Sequence, residues 1–131
     1  MFRPLVLPLL ALLLPTPLQA QTAPEVIDAQ IAAFRAQDYV TAFGFASPTL
    51  RAIFQTPENF GRMVEQGYPM VLDPAEVRYL DHGARAGYEA QTVLIRDRDG
   101  AVFLLEYLFI GDGSTRRIAA VRILPETGAG V

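Results

Sequence analysis

The chain has 131 residues, with eleven basic side chains, all arginine, against fourteen acidic ones, a formal charge of −3, one histidine and no cysteine. These counts exclude disulfides, thiol catalysis and thiolate zinc sites, as well as a lysine general base or Schiff base. A mildly acidic chain without basic runs also argues against nucleic acid as a partner, and the length is that of one domain.

Residues 1–20 read as an export signal: Arg3 precedes an apolar stretch from Leu5 to Leu14, followed by Pro15, Pro17 and a small residue, Ala20. Ten apolar residues interrupted by Pro8 are too few to cross a bilayer, which takes about 20. We therefore expect cleavage after Ala20, a periplasmic or secreted product without a stable membrane span, and one domain over residues 21–131. Loss of Arg3 leaves ten arginines against fourteen acids, a formal charge of −4.

From Thr22 to Phe45 the pattern is helical. Pro24 suits a first turn, and Ile27, Gln30, Ile31 and Phe34 recur at the spacing of one helix face. A break is expected near Gln37, after which Asp38 caps a second segment with Tyr39, Ala42, Phe43 and Ala46 on its apolar side. Ser47-Pro48 and Thr56-Pro57 each combine a hydroxyl that accepts from free helical N–H groups with a proline pre-set for the first turn, so two short helices follow. Phe60, Met63 and Val64 line the second of these. It is expected to stop at Gly67 through a left-handed C-cap, before Tyr68-Pro69 and Asp73-Pro74 turn the chain.

From Val77 the period becomes two. Val77–His82, Tyr88–Arg96, Ala101–Ile110 and Arg116–Leu124 read as four strands joined at Gly83–Gly87, Asp99-Gly100 and Gly111–Ser114. Helices first and strands afterwards predict an α+β fold, N-terminal helices packed on a curved four-stranded antiparallel meander sheet. With Asp99-Gly100 as a two-residue loop, Val93 faces Glu106; with Asp112-Gly113 centring the next, Glu106 faces Ala119. One face then carries Gln91, Val93, Leu104, Glu106 and Leu108, and the other Tyr88, Leu105, Tyr107, Phe109 and Ile118. Both faces of the third strand are apolar, so the second is expected to need a cover, and dimerisation through that aromatic, arginine-rimmed face is the expected one.

The pieces Ala42-Phe43, Ala46-Ser47-Pro48, Thr56-Pro57-Glu58 with Phe60, Met63-Val64 and Gly67-Tyr68-Pro69, with the later Asp99-Gly100, Tyr107 and Arg117-Ile118, span most of the mature chain. In them the sequence resembles a family of small exported bacterial proteins known as domain of unknown function, family 4864. That family tends to enter its last strand through Gly-Ser-Trp-Arg-Ile, where this chain has Gly113-Ser114-Thr115-Arg116-Arg117-Ile118. The resemblance implies a cone-shaped fold similar to the nuclear-transport-factor-two-like or cystatin-like proteins and implies no activity.

Glu106 is the most conspicuous candidate for chemistry, an acid inside AVFLLEYLFI. Packed against helices it would be poorly solvated, which tunes a carboxylate toward general acid-base work; the alternative is an ion pair with Arg117. His82 follows Asp81, but strand neighbours point to opposite faces, so a dyad does not follow from adjacency. One histidine without cysteines or clustered acids is too few for a metal set, and no glycine-rich phosphate loop or nucleophile elbow is present, so no cofactor is expected. Tyr68 and Tyr88 are candidate ligand contacts, as is Gln91.

The reading these features support is a non-catalytic module binding a small apolar ligand or an envelope protein, with Tyr68, Gln91 and Glu106 as ligand-binding candidates. Two alternatives stand beside it. One is a small cofactor-free isomerase- or dehydratase-like enzyme, with Glu106 as base and Tyr68, Gln91 or His82 polarising the substrate. The other is a structural subunit of an envelope assembly.

Overall fold

Hydroxyl and carboxylate side chains set the helix starts. In the computed structural model, which describes residues 3–5, 8 and 21–125, α1 runs Ala23–Arg35, α2 Tyr39–Gly44, α3 Pro48–Phe54 and α4 Pro57–Gly67. All but four residues of the expected leader lie outside the described residues, and no described helix is long and apolar enough to cross a membrane. Thr22 and Glu25 form a reciprocal capping box at α1, while Asp38, Ser47 and Thr56 accept from the backbone N–H of Thr41, Leu50 and Asn59 at 3.1–3.2 Å. Each cap satisfies donors that the first helical turn leaves free. The break falls where expected, at Gln37, whose φ of 56° no helix can propagate. At the end of α4 the expected mechanism differs: Gly67 is the last helical residue and does not adopt a left-handed φ, and the chain leaves through Tyr68 at φ −138°.

The sheet is an antiparallel meander in the order β1-β2-β3-β4, with β1 over Glu76–Arg85, β2 over Tyr88–Arg96, β3 over Val102–Ile110 and β4 over Arg117–Leu124. The first strand is longer than expected because Ala86 and Gly87 alone turn it. Both take positive φ, which matches a two-residue hairpin to the strands' twist.

The second hairpin corrects the expected register. Asp97 pairs with Ala101, and its carboxylate accepts from the N–H of Asp99 and Ala101 at 2.9 Å. The loop therefore holds three residues, Arg98, Asp99 and Gly100, with Gly100 at φ 90°. Val93 then lies opposite Leu105 and Thr92 opposite Glu106. A slip of one residue exchanges the faces of a strand, so Phe103, Leu105, Tyr107 and Phe109 share a face with Gln91, Val93 and Ile95, and Glu106 lies on the other. The last connection is also longer, Ile110 pairing with Arg117, and a bulge follows: Phe109 is opposite Ile118 but Leu108 is opposite Ala120. This places Ile118 and Val121 on the aromatic face.

That aromatic face is the one the helices cover. Leu105, Tyr107 and Phe109, each at most 1% exposed, pack with Ile27, Ile31, Phe34, Phe43 and Phe60 in one core. The expected cover by a second copy is thus replaced there by the chain's own helices. The helix-free face is the aliphatic one, carrying Leu94, Leu104, Leu108 and Ala120, with the exposed Tyr88, Val102 and Ile110 at its ends.

Candidate functional site

The helices and β4 border a half-open cavity of about 230 Å³. Phe34 of α1, Leu50 and Phe54 of α3, and Phe60, Met63 and Val64 of α4 form its apolar wall. Tyr107 and the stretch Ile118–Val121 form its floor. The wall arises because α1, α3 and α4 turn apolar side chains toward the space beside the edge strand without filling it. Phe60 holds them together, with ring centroids 6.1 Å from Phe34, 5.4 Å from Phe43 and 6.0 Å from Phe54.

The floor lies along a sheet edge, where backbone groups lack a neighbouring strand. Ile118 is served from the helical layer: its N–H donates to the Phe45 carbonyl at 2.9 Å and its carbonyl accepts from Ser47 N–H at 2.8 Å. Three residues on, the Val121 carbonyl accepts from the Tyr68 hydroxyl at 2.8 Å. The bulged Ala119 and Ala120 lie between these two clamps and line the cavity.

Three polar side chains reach the cavity, and none of its fifteen lining residues is charged. Tyr68 is committed to Val121. Gln30, 5% exposed, uses its Nε2 to donate to the Ala42 carbonyl at 3.0 Å. Tyr107 is 1% exposed, and its hydroxyl has no hydrogen-bond partner among the described residues. Burial, reinforced by the neighbouring Tyr68, pushes that hydroxyl well above the usual phenol range, so it stays protonated as an O–H donor.

The sequence-derived candidates fall in four different places. Tyr68 borders the cavity. Gln91, 2% exposed, lies on the covered face, but its Nε2 donates to the carbonyls of Leu80, Asp81 and Thr92 at 3.0–3.3 Å, which serves the irregularity in β1 between Tyr79 and His82. His82 meets Glu89 at 2.8 Å, and Glu89 also accepts from Arg116 at 2.6 Å, at the end of the sheet where Arg116 reaches the Gln21 carbonyl. Burial opposes the Glu89 charge, but the bonds from His82 and Arg116 prevail and hold its carboxyl below the usual range.

Glu106 lies across the sheet from the cavity. Its carboxylate accepts from Arg122 Nε at 2.7 Å and from Arg85 Nε at 3.1 Å. The Arg122 bond, with that of Arg85, outweighs burial and keeps the group below the usual carboxylate range. A carboxylate held ionised by two guanidinium groups is poorly suited to take up a proton near neutral pH. The expected pairing with Arg117 does not form; Arg117 instead donates to the carbonyls of Ser114 and Arg116 at 3.1 and 2.9 Å. Tyr88, the remaining candidate contact, stands on the helix-free face at 41% exposure.

Gln30 and Tyr107 were not singled out by the sequence. Gln30 could be read only as one position of a helix face, and Tyr107 was assigned to the opposite side by the register slip. The signal that places Tyr107 correctly is Asp97, whose carboxylate closes a three-residue loop ending in glycine.

A family profile described as a domain of unknown function (DUF4864) matches residues 17–131. No curated protein matches the chain.

Proposed function

The chain belongs to the family described as a domain of unknown function (DUF4864), and from that premise we propose that it is a non-catalytic module holding a small apolar ligand in the cavity between its helices and β4. The observation that carries this reading is a half-open apolar cleft of about 230 Å³ between the helical layer and the edge strand. Apolar clefts with a few convergent polar groups are the usual form of small-ligand site, and an apolar cavity of about 150 Å³ already takes up benzene. The enzyme alternative needs its carboxylate base beside the ligand, and Glu106 is held on the far face of the sheet. The leader-like residues 1–20 support export with cleavage after Ala20, and the helix-covered meander supports similarity to the nuclear-transport-factor-two-like or cystatin-like architecture.

Thermal unfolding in the presence of toluene tests the proposal. Ligand at ten times its Kd stabilises by about 1.4 kcal/mol, which raises Tm by several degrees in a domain of this size. Glu106→Gln should keep the shift, and Val64→Phe, which fills the cavity, should lose it. No shift at saturating toluene would rule the reading out.

A second copy or an envelope protein finds a different surface. The helix-free face, with Leu94, Leu104 and Leu108 around the Glu106 ion pairs and exposed Tyr88, Val102 and Ile110 at its ends, supports pairing of two copies there. Light scattering on the eluted protein at micromolar concentration should then give twice the chain mass, and a strict monomer would sink this part.

A further inference from the structure

We infer that the cavity selects small neutral ligands bearing one hydrogen-bond-accepting oxygen, such as a phenol or a ketone, over carboxylates and amines of the same shape, with Tyr107 as the anchor. The inference rests on the cavity being a ligand site. It adds the chemistry of the ligand's polar end.

Two independent observations carry it. First, the fifteen lining residues include no acid or base, only Gln30, Tyr68 and Tyr107 among polar side chains. An ionised ligand group brought against the buried Tyr107 would lose water without gaining a counter-charge, an expensive transfer. Second, the three polar side chains are not equally engaged. The Tyr68 hydroxyl and the Gln30 amide nitrogen already donate to Val121 and Ala42 carbonyls, whereas the Tyr107 hydroxyl has no partner among the described residues although the residue is 1% exposed.

No described side-chain nitrogen or oxygen is both fully sealed and unpaired. The Tyr107 hydroxyl belongs to a side chain that lines the cavity, which is the space the described residues leave beside it. Phenylalanine would fill the same position without an unmet hydroxyl, and buried phenols ordinarily find a partner. A ligand oxygen supplies one. The Gln30 Oε1 has no partner among the described residues either, so a hydroxyl-bearing ligand has an acceptor available as well.

The test compares toluene, 4-methylphenol and 4-methylbenzoate at neutral pH by calorimetry on the wild type, Tyr107→Phe and Tyr68→Phe. The wild type should bind toluene and 4-methylphenol and reject 4-methylbenzoate. The ratio of 4-methylphenol to toluene affinity should fall roughly three- to tenfold in Tyr107→Phe, the worth of one net hydrogen bond, and stay at its wild-type value in Tyr68→Phe. An unchanged ratio in Tyr107→Phe, or an equal fall in both variants, overturns the anchor while leaving the apolar site standing. Absence of toluene binding to the wild type overturns the site and the inference together. Should Tyr107→Phe not fold, the wild type alone still decides: 4-methylbenzoate binding as tightly as 4-methylphenol overturns the preference for neutral ligands.

Discussion

Phe60→Ala is expected to lower unfolding free energy by about 3–5 kcal/mol, the range for deleting a buried aromatic side chain. Phe60 is 5% exposed and its ring meets Phe34, Phe43 and Phe54, so one side chain of α4 ties together residues of α1, α2 and α3. Aromatic pairs at these separations add to the loss from burial alone. The ring also borders the cavity, so its removal extends an existing space that α3, which has no fully buried residue, is poorly placed to refill. Urea denaturation of the variant beside the wild type measures the difference. A loss below about 1 kcal/mol would show that the helical layer is held by something other than this ring.

The helical layer could be read from the sequence because its signals are local. Thr22, Asp38, Ser47 and Thr56 each act within three residues, and Pro24, Pro48 and Pro57 need only their own φ. The strands were legible for the same reason, as alternation and glycine turns. Their register was not, because it depends on whether a loop holds two or three residues, and that was decided by the Asp97 carboxylate capping the N–H of Asp99 and Ala101. One residue of slip placed Glu106 under the helices and Tyr107 outside. The observed structure reverses both, and the candidate chemistry moves from an acid to a phenol.

The same hairpins hold the last element that could not be seen in sequence, the bulge at Ala119. Alanine carries no mark of it. The bulge follows from the pairings on either side: Ile118 is fixed to Phe45 and Ser47 on the helical side, while Val121 is drawn to Tyr68. The extra residue between them keeps both Ile118 and Val121 on the covered face and leaves a strip of edge backbone at the cavity floor.

Gly111→Ala is expected to cost about 2–4 kcal/mol, by two mechanisms acting at one atom. Gly111 has φ 74°, a conformation that costs an L-residue strain. A Cβ built there would also stand 2.4 Å from the Thr115 carbonyl oxygen and 2.9 Å from its carbon. Those are backbone atoms of the turn at Gly113–Thr115, fixed by Thr115 N–H donating to the Asp112 carbonyl at 2.9 Å, so they cannot move aside as a side-chain tip can. Relief requires shifting the whole connection, and Arg117 and Ile118 follow it directly. Because Ile118 is also the point where the sheet edge bonds the chain between α2 and α3, the shift would loosen the cavity floor together with the hairpin. The variant should therefore lose toluene binding as well as stability. Gly83→Ala is the control: Gly83 has a negative φ and open space where the methyl would go, so its stability should stay within about 0.5 kcal/mol of wild type. Equal urea midpoints for the two variants would show that the last connection adapts at little cost and that neither the bulge nor the floor depends on it.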